Sequence, residues 1–149
     1  MPEVPSALLI RLANDADAEA IIVLVGQLAG SFGETSPLTI EYVHDYLRRP
    51  GCMVLVAERA GQVLGLLSLT MRPNLYHAAD CCLIEEFVVD ERARGQGIGS
   101  ALIEEVLRRA AGLGCAEVSV STMPDNAGAL RFYRAHGLTD EAILLERHL

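Results

Sequence analysis

The stretch FVVDERARGQGIGS, residues 87–100, decides the fold of this chain. An apolar, β-rich segment passes through Arg92 and Arg94 into three alternate glycines, and apolar residues at helical spacing follow over 100–112. Glycine has no side chain, so the backbone of Gly95-Gln96-Gly97-Ile98-Gly99 can approach a ligand closely. Free N–H groups and the positive dipole end of a helix attract anions, and arginine can hold the same anion from the side. The stretch therefore predicts a strand, a loop suited to a pyrophosphate and a helix.

Two better-known phosphate-binding motifs do not match this loop. The Walker A motif needs a lysine, whereas all 12 basic residues here are arginine. The dinucleotide fingerprint GxGxxG needs a third glycine where Ser100 stands, and residues 90–94 separate the first glycine from the strand. Glu117 lies near the position of a ribose-binding acid, so the dinucleotide interpretation stays open. A glycine-rich turn without any ligand is the structural alternative.

Hydrophobic periodicity on both sides of this stretch predicts an α/β (α+β) fold with the order β-α-α-β-β-β-α-β-α-β. The turn Ala60-Gly61 predicts a hairpin, and the later strand–helix–strand unit predicts parallel pairing, so we expect one central mixed sheet flanked by helices. The predicted strands are 7–12, 52–59, 62–71, 80–89, 116–123 and one within the final LTDEAILLERHL, and the predicted helices are 16–29, 39–49, 100–112 and 126–135.

Length and composition limit the class of protein. The chain has 149 residues, of which 51% are hydrophobic and 21% charged, and this predicts a single domain over 1–149. Its net charge of −8 argues against nucleic-acid binding. The N-terminus has no signal-peptide pattern, and the apolar runs are too short to span a membrane. The four cysteines lack metal-ligand spacing, so we expect free thiols, no metal and a cytoplasmic location.

Two motifs resemble those of the GNAT superfamily of N-acetyltransferases. Arg94-Gly95-Gln96-Gly97-Ile98-Gly99 is similar to its (Arg/Gln)-x-x-Gly-x-(Gly/Ala) motif. The stretch from Asn126 through Phe132-Tyr133 to Gly137 is similar to its Asn…Tyr-x-x-x-Gly-Phe pattern, with Leu138 in place of the phenylalanine. The element order also resembles that fold. The two motifs place the resemblance between Ile84 and Leu138. The element order extends the resemblance to residues 1–79.

The resemblance implies that acetyl-CoA is the acyl donor. In the family, the strand before the loop splays from its neighbour and its free backbone groups bind the pantetheine arm, here those of Phe87 and Val89. The loop and helix N-terminus bind the pyrophosphate, and Asn126 bonds an amide of the pantetheine or of the acceptor. The implied cofactor-binding residues are Phe87, Val88, Val89, Arg92, Arg94, Gly95, Gln96, Gly97, Ile98, Gly99, Ser100, Asn126, Phe132 and Tyr133.

Acetylation of an amine needs a group that takes the amine proton and a group that protonates the leaving thiolate. Glu85 and Glu86 are adjacent in an apolar strand, so alternation predicts that they face opposite sides of the sheet and that one lines the acceptor cleft. The resemblance favours Glu85 as the base, with Glu86 as an orienting or surface carboxylate; solvated or ion-paired roles for both stay open. It implies that Tyr133 is the general acid, and the alternative is that Phe132-Tyr133 only packs.

The acceptor is the least determined part of the prediction. In the family it is bound by the first two helices with their loop, 30–37, and by the loop after the third strand, 72–79. Phe32, Tyr76 and His77 lie there, and acidic plus aromatic side chains suit a primary amine of a small molecule or peptide. We expect an N-acetyltransferase that works by direct attack in a ternary complex; the alternative is a non-catalytic acyl-CoA-sensing module. Exposed sheet edges predict a homodimer.

Overall fold

A five-stranded mixed sheet forms the centre of the molecule in the order β1-β2-β3-β4-β5. The structure, a computed structural model, describes residues 6–149. The first four strands pair antiparallel and β5 runs parallel to β4, which confirms the predicted mixed sheet. The strands are β1 (Leu9–Leu12), β2 (Cys52–Arg59), β3 (Gln62–Asn74), β4 (Ala79–Val89) and β5 (Val118–Val120).

The helices begin at capping residues that the sequence contains. Asn14 and Asp17 form a capping box in a short 3₁₀ turn that leads into the first helix, and Thr39 accepts a hydrogen bond from the Tyr42 N–H at the start of the second. Asn126 caps the last helix in the same way. The helices are α1 (Ala18–Ser31), α2 (Ile40–Arg48), α3 (Ile98–Gly112) and α4 (Ala127–Ala135).

Two apolar layers cover the two faces of the sheet. On one face α1 and α2 pack against alternate residues of the central strands, with Leu24, Val43 and Leu66 buried. On the other face α3 buries Leu102 and Val106 against the remaining alternate residues. Among the helices of residues 6–149, none combines the length and hydropathy that crossing a bilayer requires. The two layers hold β4 between them, and β4 leads into the glycine loop.

The predicted strand after α4 was wrong. Of the described residues, 138–149 contain no helix or strand, although Arg134 forms an ion pair with Glu141. The segment's alternating pattern is compatible with a strand, but a strand also needs a neighbour to take its N–H and C=O groups. No neighbour pairs with it in the described part of this chain, and the side chain of Leu145 is 89% exposed. The strand predicted over 116–123 also forms only at Val118–Val120.

Candidate active site

A cleft opens where β5 separates from β4. The two strands pair from Cys82 to Ile84, and β4 after Ile84 has no partner on that side among the described residues. The N–H groups of Glu86 and Asp90 donate to Ser68 Oγ and to the Leu64 carbonyl of β3, at 2.9 and 2.8 Å. Since backbone groups alternate in direction along a strand, those of 87 and 89 point into the cleft.

The cleft widens into a cavity of about 570 Å³ between β4, the start of α3 and α4. Seven of the residues that line it were predicted to bind the cofactor, and Gly128 and Ala129 of α4 were not singled out. Gly128 has no side chain and that of Ala129 is a single methyl group, so there is room for a ligand beside α4. The lining consists of Phe87, Val89, Arg94, Gly99, Asn126, Gly128, Ala129, Phe132 and Tyr133.

Three aromatic rings form one wall of the cavity. The ring centroids of Phe87 and Phe132 lie 5.7 Å apart, and those of Phe87 and Tyr133 lie 6.3 Å apart, both with edge-to-face geometry. Burial raises the pKa of Tyr133 above its ordinary value. The phenol therefore keeps its proton at neutral pH and can act only as a proton donor until that proton has been given up.

The glycine loop has the backbone conformation that its sequence predicts. Gly95 and Gly97 have φ angles of 75° and 80°, which side chains strongly disfavour. Gly97 is the N-cap of α3, and the first intrahelical bond runs from the Ala101 N–H to the Gly97 carbonyl. The N–H groups of residues 98–100 therefore have no partner within the helix and are available to an anion.

Side chains of this loop have different roles from its backbone. Ile98 is 1% exposed and packs in the apolar layer beneath α3, so only its N–H group can reach a ligand. A Cβ atom at Gly99 would lie 3.6 Å from Phe132 Cζ, an ordinary van der Waals distance, so this position borders the aromatic wall. Ser100 lies at the helix start and is half-buried.

The two predicted arginines lie in different places. Arg94 lines the cavity, and its Nε lies 3.4 Å from the Val89 carbonyl. Arg92 turns away to the α1 side, where its Nη2 lies 3.2 Å from the Asp90 carboxylate. Val88 is also turned away, because its side chain is buried against α1 and α2. The structure does not bring Arg92 or Val88 to the cavity.

Arg59 is a basic residue at the loop that sequence reasoning missed. It is the last residue of β2, and its Nη1 donates to Gln96 Oε1 at 2.7 Å. Its Nε is buried without a hydrogen-bond partner in the described residues. The signal in the sequence was weak, because Arg59 stands 37 positions before Gln96 and only sheet pairing brings it to the loop.

A β-bulge determines where the two glutamates lie. Leu67 pairs with Phe87 and Leu69 pairs with Ile84, so Ser68 alone opposes two residues of β4. Ile84 and Phe87 consequently pack in the same layer, although strict alternation would separate them. The prediction that Glu85 and Glu86 face opposite sides was therefore wrong: both side chains lie on the face covered by α1 and α2.

The environments of the two carboxylates differ. Glu86 is half-buried beside Ser68, and burial, with a smaller contribution from the charge of Glu85, raises its pKa. Glu85 is exposed and accepts a long hydrogen bond of 3.4 Å from Thr70 Oγ1. The Tyr46 hydroxyl is buried near Ser68 and Glu86 but makes no hydrogen bond among the described residues. Burial also raises the pKa of Tyr46.

The remaining predicted site residues are Asn126 and the three acceptor candidates. Asn126 Oδ1 accepts from the Ala129 N–H at 3.1 Å, and its amide N–H₂ group remains available to donate to a ligand. Phe32 is the C-cap of α1 and 60% exposed. Tyr76 and His77 lie in the turn between β3 and β4, and none of these three acceptor candidates lines the cavity.

Comparison with known proteins identifies the family of this chain. A model of the acetyltransferase (GNAT) family matches residues 23–138. This chain belongs to that family. It is therefore an acyltransferase by descent, and the glycine loop and cavity lie within the matched region.

Two relatives and a solved structure illustrate the similarity to known proteins. The chain is 26% identical to aminoglycoside N(6')-acetyltransferase type 1 of Klebsiella aerogenes, over 92% of this chain and 93% of that protein. It is 30% identical to aminoalkylphosphonate N-acetyltransferase of Salmonella typhimurium, over 86% of this chain and 82% of that protein. A crystal structure of a Trypanosoma brucei acetyltransferase superimposes with a TM-score of 0.81 at 26% identity, over 96% and 100% of the two chains.

Proposed function

We propose that this family member transfers an acetyl group from acetyl-CoA to the primary amine of a small molecule or peptide, by direct attack in a ternary complex. The observation that carries the proposal is the splay of β4 from β5 beside the glycine loop, with Tyr133 on the cavity wall. Free backbone groups, an anion-binding helix start and a proton donor meet at one cavity there.

The residues present fit acetyl-CoA. The N–H and C=O groups of Phe87 and Val89 suit the amides of a pantetheine arm, because such groups need hydrogen-bond partners. The free N–H groups of 98–100 and the guanidinium groups of Arg94 and Arg59 suit a pyrophosphate. Bound acetyl-CoA would supply an activated acyl group, and the chain itself supplies position and proton transfer.

Proton movement divides between two groups on the chain. The raised pKa of Glu86 makes its carboxylate a better acceptor for the proton of an incoming ammonium group. We therefore assign Glu86 as the base, directly or through water, with Glu85 attracting the cationic acceptor. The Tyr133 hydroxyl holds the proton that a departing thiolate takes. The unpartnered Tyr46 hydroxyl is placed to orient the acceptor or that water.

The acceptor that fits this arrangement is a cationic amine. Both carboxylates lie on the α1–α2 face, and the chain carries a net charge of −8. The named relatives act on aminoglycosides and aminoalkylphosphonates, which are small molecules with amino groups. We propose an acceptor of the same general class.

Thiol release from acetyl-CoA across a panel of amines tests this function. The panel contains aminoglycosides, aminoalkylphosphonates, polyamines, amino sugars and peptide N-termini, and we expect Tyr133-dependent release with at least one class. Calorimetry with acetyl-CoA alone gives a separate measure of binding. Tight binding without turnover on any amine would favour the non-catalytic sensing module, and absence of binding would contradict both functions.

We also propose that the protein is a homodimer. Among residues 111–149 no side chain is buried, and Ile143 and Leu145 are 88% and 89% exposed. β5, which is part of this segment, forms one edge of the sheet, and exposed edges and apolar side chains favour association with a second copy. Light scattering should give twice the monomer mass for the wild type and the monomer mass for the Ile143→Asp, Leu145→Asp double variant. A monomeric wild type would contradict this proposal.

A further inference from the structure

Three side chains with metal-ligand chemistry meet at the start of β4, away from the cavity. His77, Cys81 and Glu117 each present one ligand atom, and these atoms all lie within 4.8 Å of one another. The closest pair is His77 Nε2 and Glu117 Oε2, at 3.3 Å. Cys81 is six positions before Phe87 on β4, so the cluster is separate from the proposed acetyl-transfer site.

Backbone pairing places two of the three ligands together. The Cys82 N–H donates to the Glu117 carbonyl at 2.9 Å, and the Ala116 N–H donates to the Asp80 carbonyl at 2.8 Å. These bonds set Cys81 of β4 beside Glu117. Neighbouring residues of paired strands point to the same face of a sheet, so the thiol and the carboxylate lie together without needing contacts of their own.

A tight turn brings the third ligand. The His77 N–H donates to Asn74 Oδ1 at 3.0 Å, and the Ala78 N–H donates to the Leu75 carbonyl at 3.3 Å. Ala78 has a φ of 49°, a left-handed conformation that reverses the chain into β4. The turn thus directs the imidazole toward Glu117. Three separate segments contribute one ligand each, and backbone hydrogen bonds hold all three segments.

The ligand set suits a borderline-soft divalent ion. Imidazole nitrogen, thiolate sulfur and carboxylate oxygen are the three ligand types of zinc sites, whereas calcium and magnesium prefer oxygen alone. Tetrahedral bonds of about 2.0–2.3 Å place ligand atoms roughly 3.3–3.8 Å apart, so small rotamer changes close the present cluster. Cys81 is fully buried, while the side chains of His77 and Glu117 remain 33% and 46% exposed. Solvent can therefore deliver the ion from one side and fill the fourth position.

We propose that His77, Cys81 and Glu117 form a zinc-binding site that ties the β3–β4 turn to the start of β5. Water occupies the fourth coordination position. The bound ion links the β3–β4 turn and β4 to the segment before β5, and β5 otherwise pairs with β4 over only a short stretch. The site is independent of acetyl transfer, so metal binding and acetyl-CoA binding can succeed or fail separately.

Titration of chelator-treated full-length protein with Co²⁺ and Zn²⁺ tests the site. We expect one Co²⁺ per chain with a thiolate-to-cobalt charge-transfer absorption, displacement by Zn²⁺, and a higher melting temperature with Zn²⁺. Cys81→Ser should abolish the charge-transfer band, and Glu117→Gln and His77→Gln should each weaken binding about 10²-fold. Cys52→Ser and His148→Gln are matched controls that should bind like the wild type.

If Cys81→Ser misfolds, variants of the two exposed ligands, His77 and Glu117, still test the site. Glu117→Gln and His77→Gln alter surface side chains, so their melting temperatures without metal should stay near that of the wild type. If Glu117→Gln or His77→Gln bound Co²⁺ as tightly as the wild type, the proposal would be overturned. Co²⁺ binding without a thiolate band would also overturn it. Absence of one-to-one binding would show that His77 and Glu117 form an ordinary surface ion pair.

Discussion

The two halves of β4 differ in how their backbone is used. Over 80–84 the strand has β3 on one side and β5 with the residues just before it on the other, whereas over 85–89 it has only β3. In the first half the backbone groups are taken up by pairing, so any chemistry must come from side chains. In the second half the backbone itself is free to bind a ligand. The same strand is thus part of the core in one half and is the proposed binding surface in the other.

The bulge marks the boundary between these halves. At Glu85 and Glu86 the strand gains one residue relative to β3. Both carboxylates therefore lie on one face of the sheet, and the Phe87 side chain lies on the other face. The strand then continues into the glycine loop and α3. A local irregularity therefore sets the position of the proposed proton acceptor relative to the backbone proposed to bind acetyl-CoA, and bulges are common next to active sites.

The largest effect is expected from Gly97→Val in the loop that follows the open half. Its φ of 80° excludes a β-branched residue, so the loop must change shape and the N–H groups of 98–100 lose their common direction. We expect acetyl-CoA binding to fall about 10²-fold or more, below detection by calorimetry. Gly112→Val at the other end of α3 is the matched control, because Gly112 lacks a positive φ and contacts nothing within 4 Å of its added Cβ. Unchanged affinity in Gly97→Val would remove the loop from the binding site.

Tyr133→Phe should have the next largest effect. Removing the hydroxyl deletes the proposed proton donor but keeps the ring contacts with Phe87 and Phe132. We expect kcat to fall about 10²-fold or more while acetyl-CoA affinity changes less than about twofold. Steady-state kinetics and calorimetry measure the two quantities, with Tyr76→Phe in the exposed turn as control. Turnover close to that of the wild type would leave Tyr133 with a packing role alone.

Glu86→Gln should lower activity and raise stability. We expect kcat/KM at neutral pH to fall about 10- to 100-fold. In the wild type, activity should rise with pH as Glu86 loses its proton, with a midpoint above the ordinary glutamate value, because burial raises its pKa. The variant should lose that acidic limb.

The stability effect of Glu86→Gln has a definite sign. A carboxyl whose pKa is raised by folding favours the folded state below its unfolded pKa, and this contribution is lost as the pH rises through the folded pKa. Glutamine carries no charge, so the variant should melt higher than the wild type at pH 7, and the difference should shrink toward about pH 4. Glu85→Gln is the exposed control. A lower melting temperature for Glu86→Gln at pH 7 would contradict its assigned burial.

Ile84→Val should have the smallest effect and should act on the closed half alone. Ile84 is 2% exposed in the layer beneath α3, so the lost methylene should lower the free energy of unfolding by about 1 kcal/mol. Acetyl-CoA affinity should stay within about twofold. Denaturant unfolding measures the loss, and Ile40→Val, at a side chain that is 39% exposed, should change stability by less than about 0.5 kcal/mol. A clear loss of acetyl-CoA affinity would show that the two halves are coupled.

Local signals in the sequence were sufficient for most elements. The helices predicted over 16–29 and 39–49 and the hairpin turn Ala60-Gly61 are signalled by residues within or next to them, so short-range patterns located these elements. The strand predicted near the C-terminus failed because a strand also depends on a partner, and the partner is not encoded within the segment.

For the candidate site too, the sequence identified some residues and misplaced or missed others. Phe87, the glycine loop and Tyr133 were found through motifs in which each residue's neighbours also signal its role. Arg92 resembled Arg94 in the sequence but pairs with Asp90, and Arg59 was overlooked. Spacing along the chain does not reveal which way a surface guanidinium turns or which distant strand ends beside a loop.

By itself, the sequence determined the mixed α/β architecture and the positions of the glycine loop and of Tyr133, the proposed general acid on α4, because these follow from periodicity and from motifs of adjacent residues. The tertiary structure alone decided that β5 leaves β4 after Ile84, that both glutamates share one face, and that His77, Cys81 and Glu117 meet. Each of these depends on strand register. Register is set by long-range hydrogen bonds and packing of both faces, which no local stretch of sequence contains.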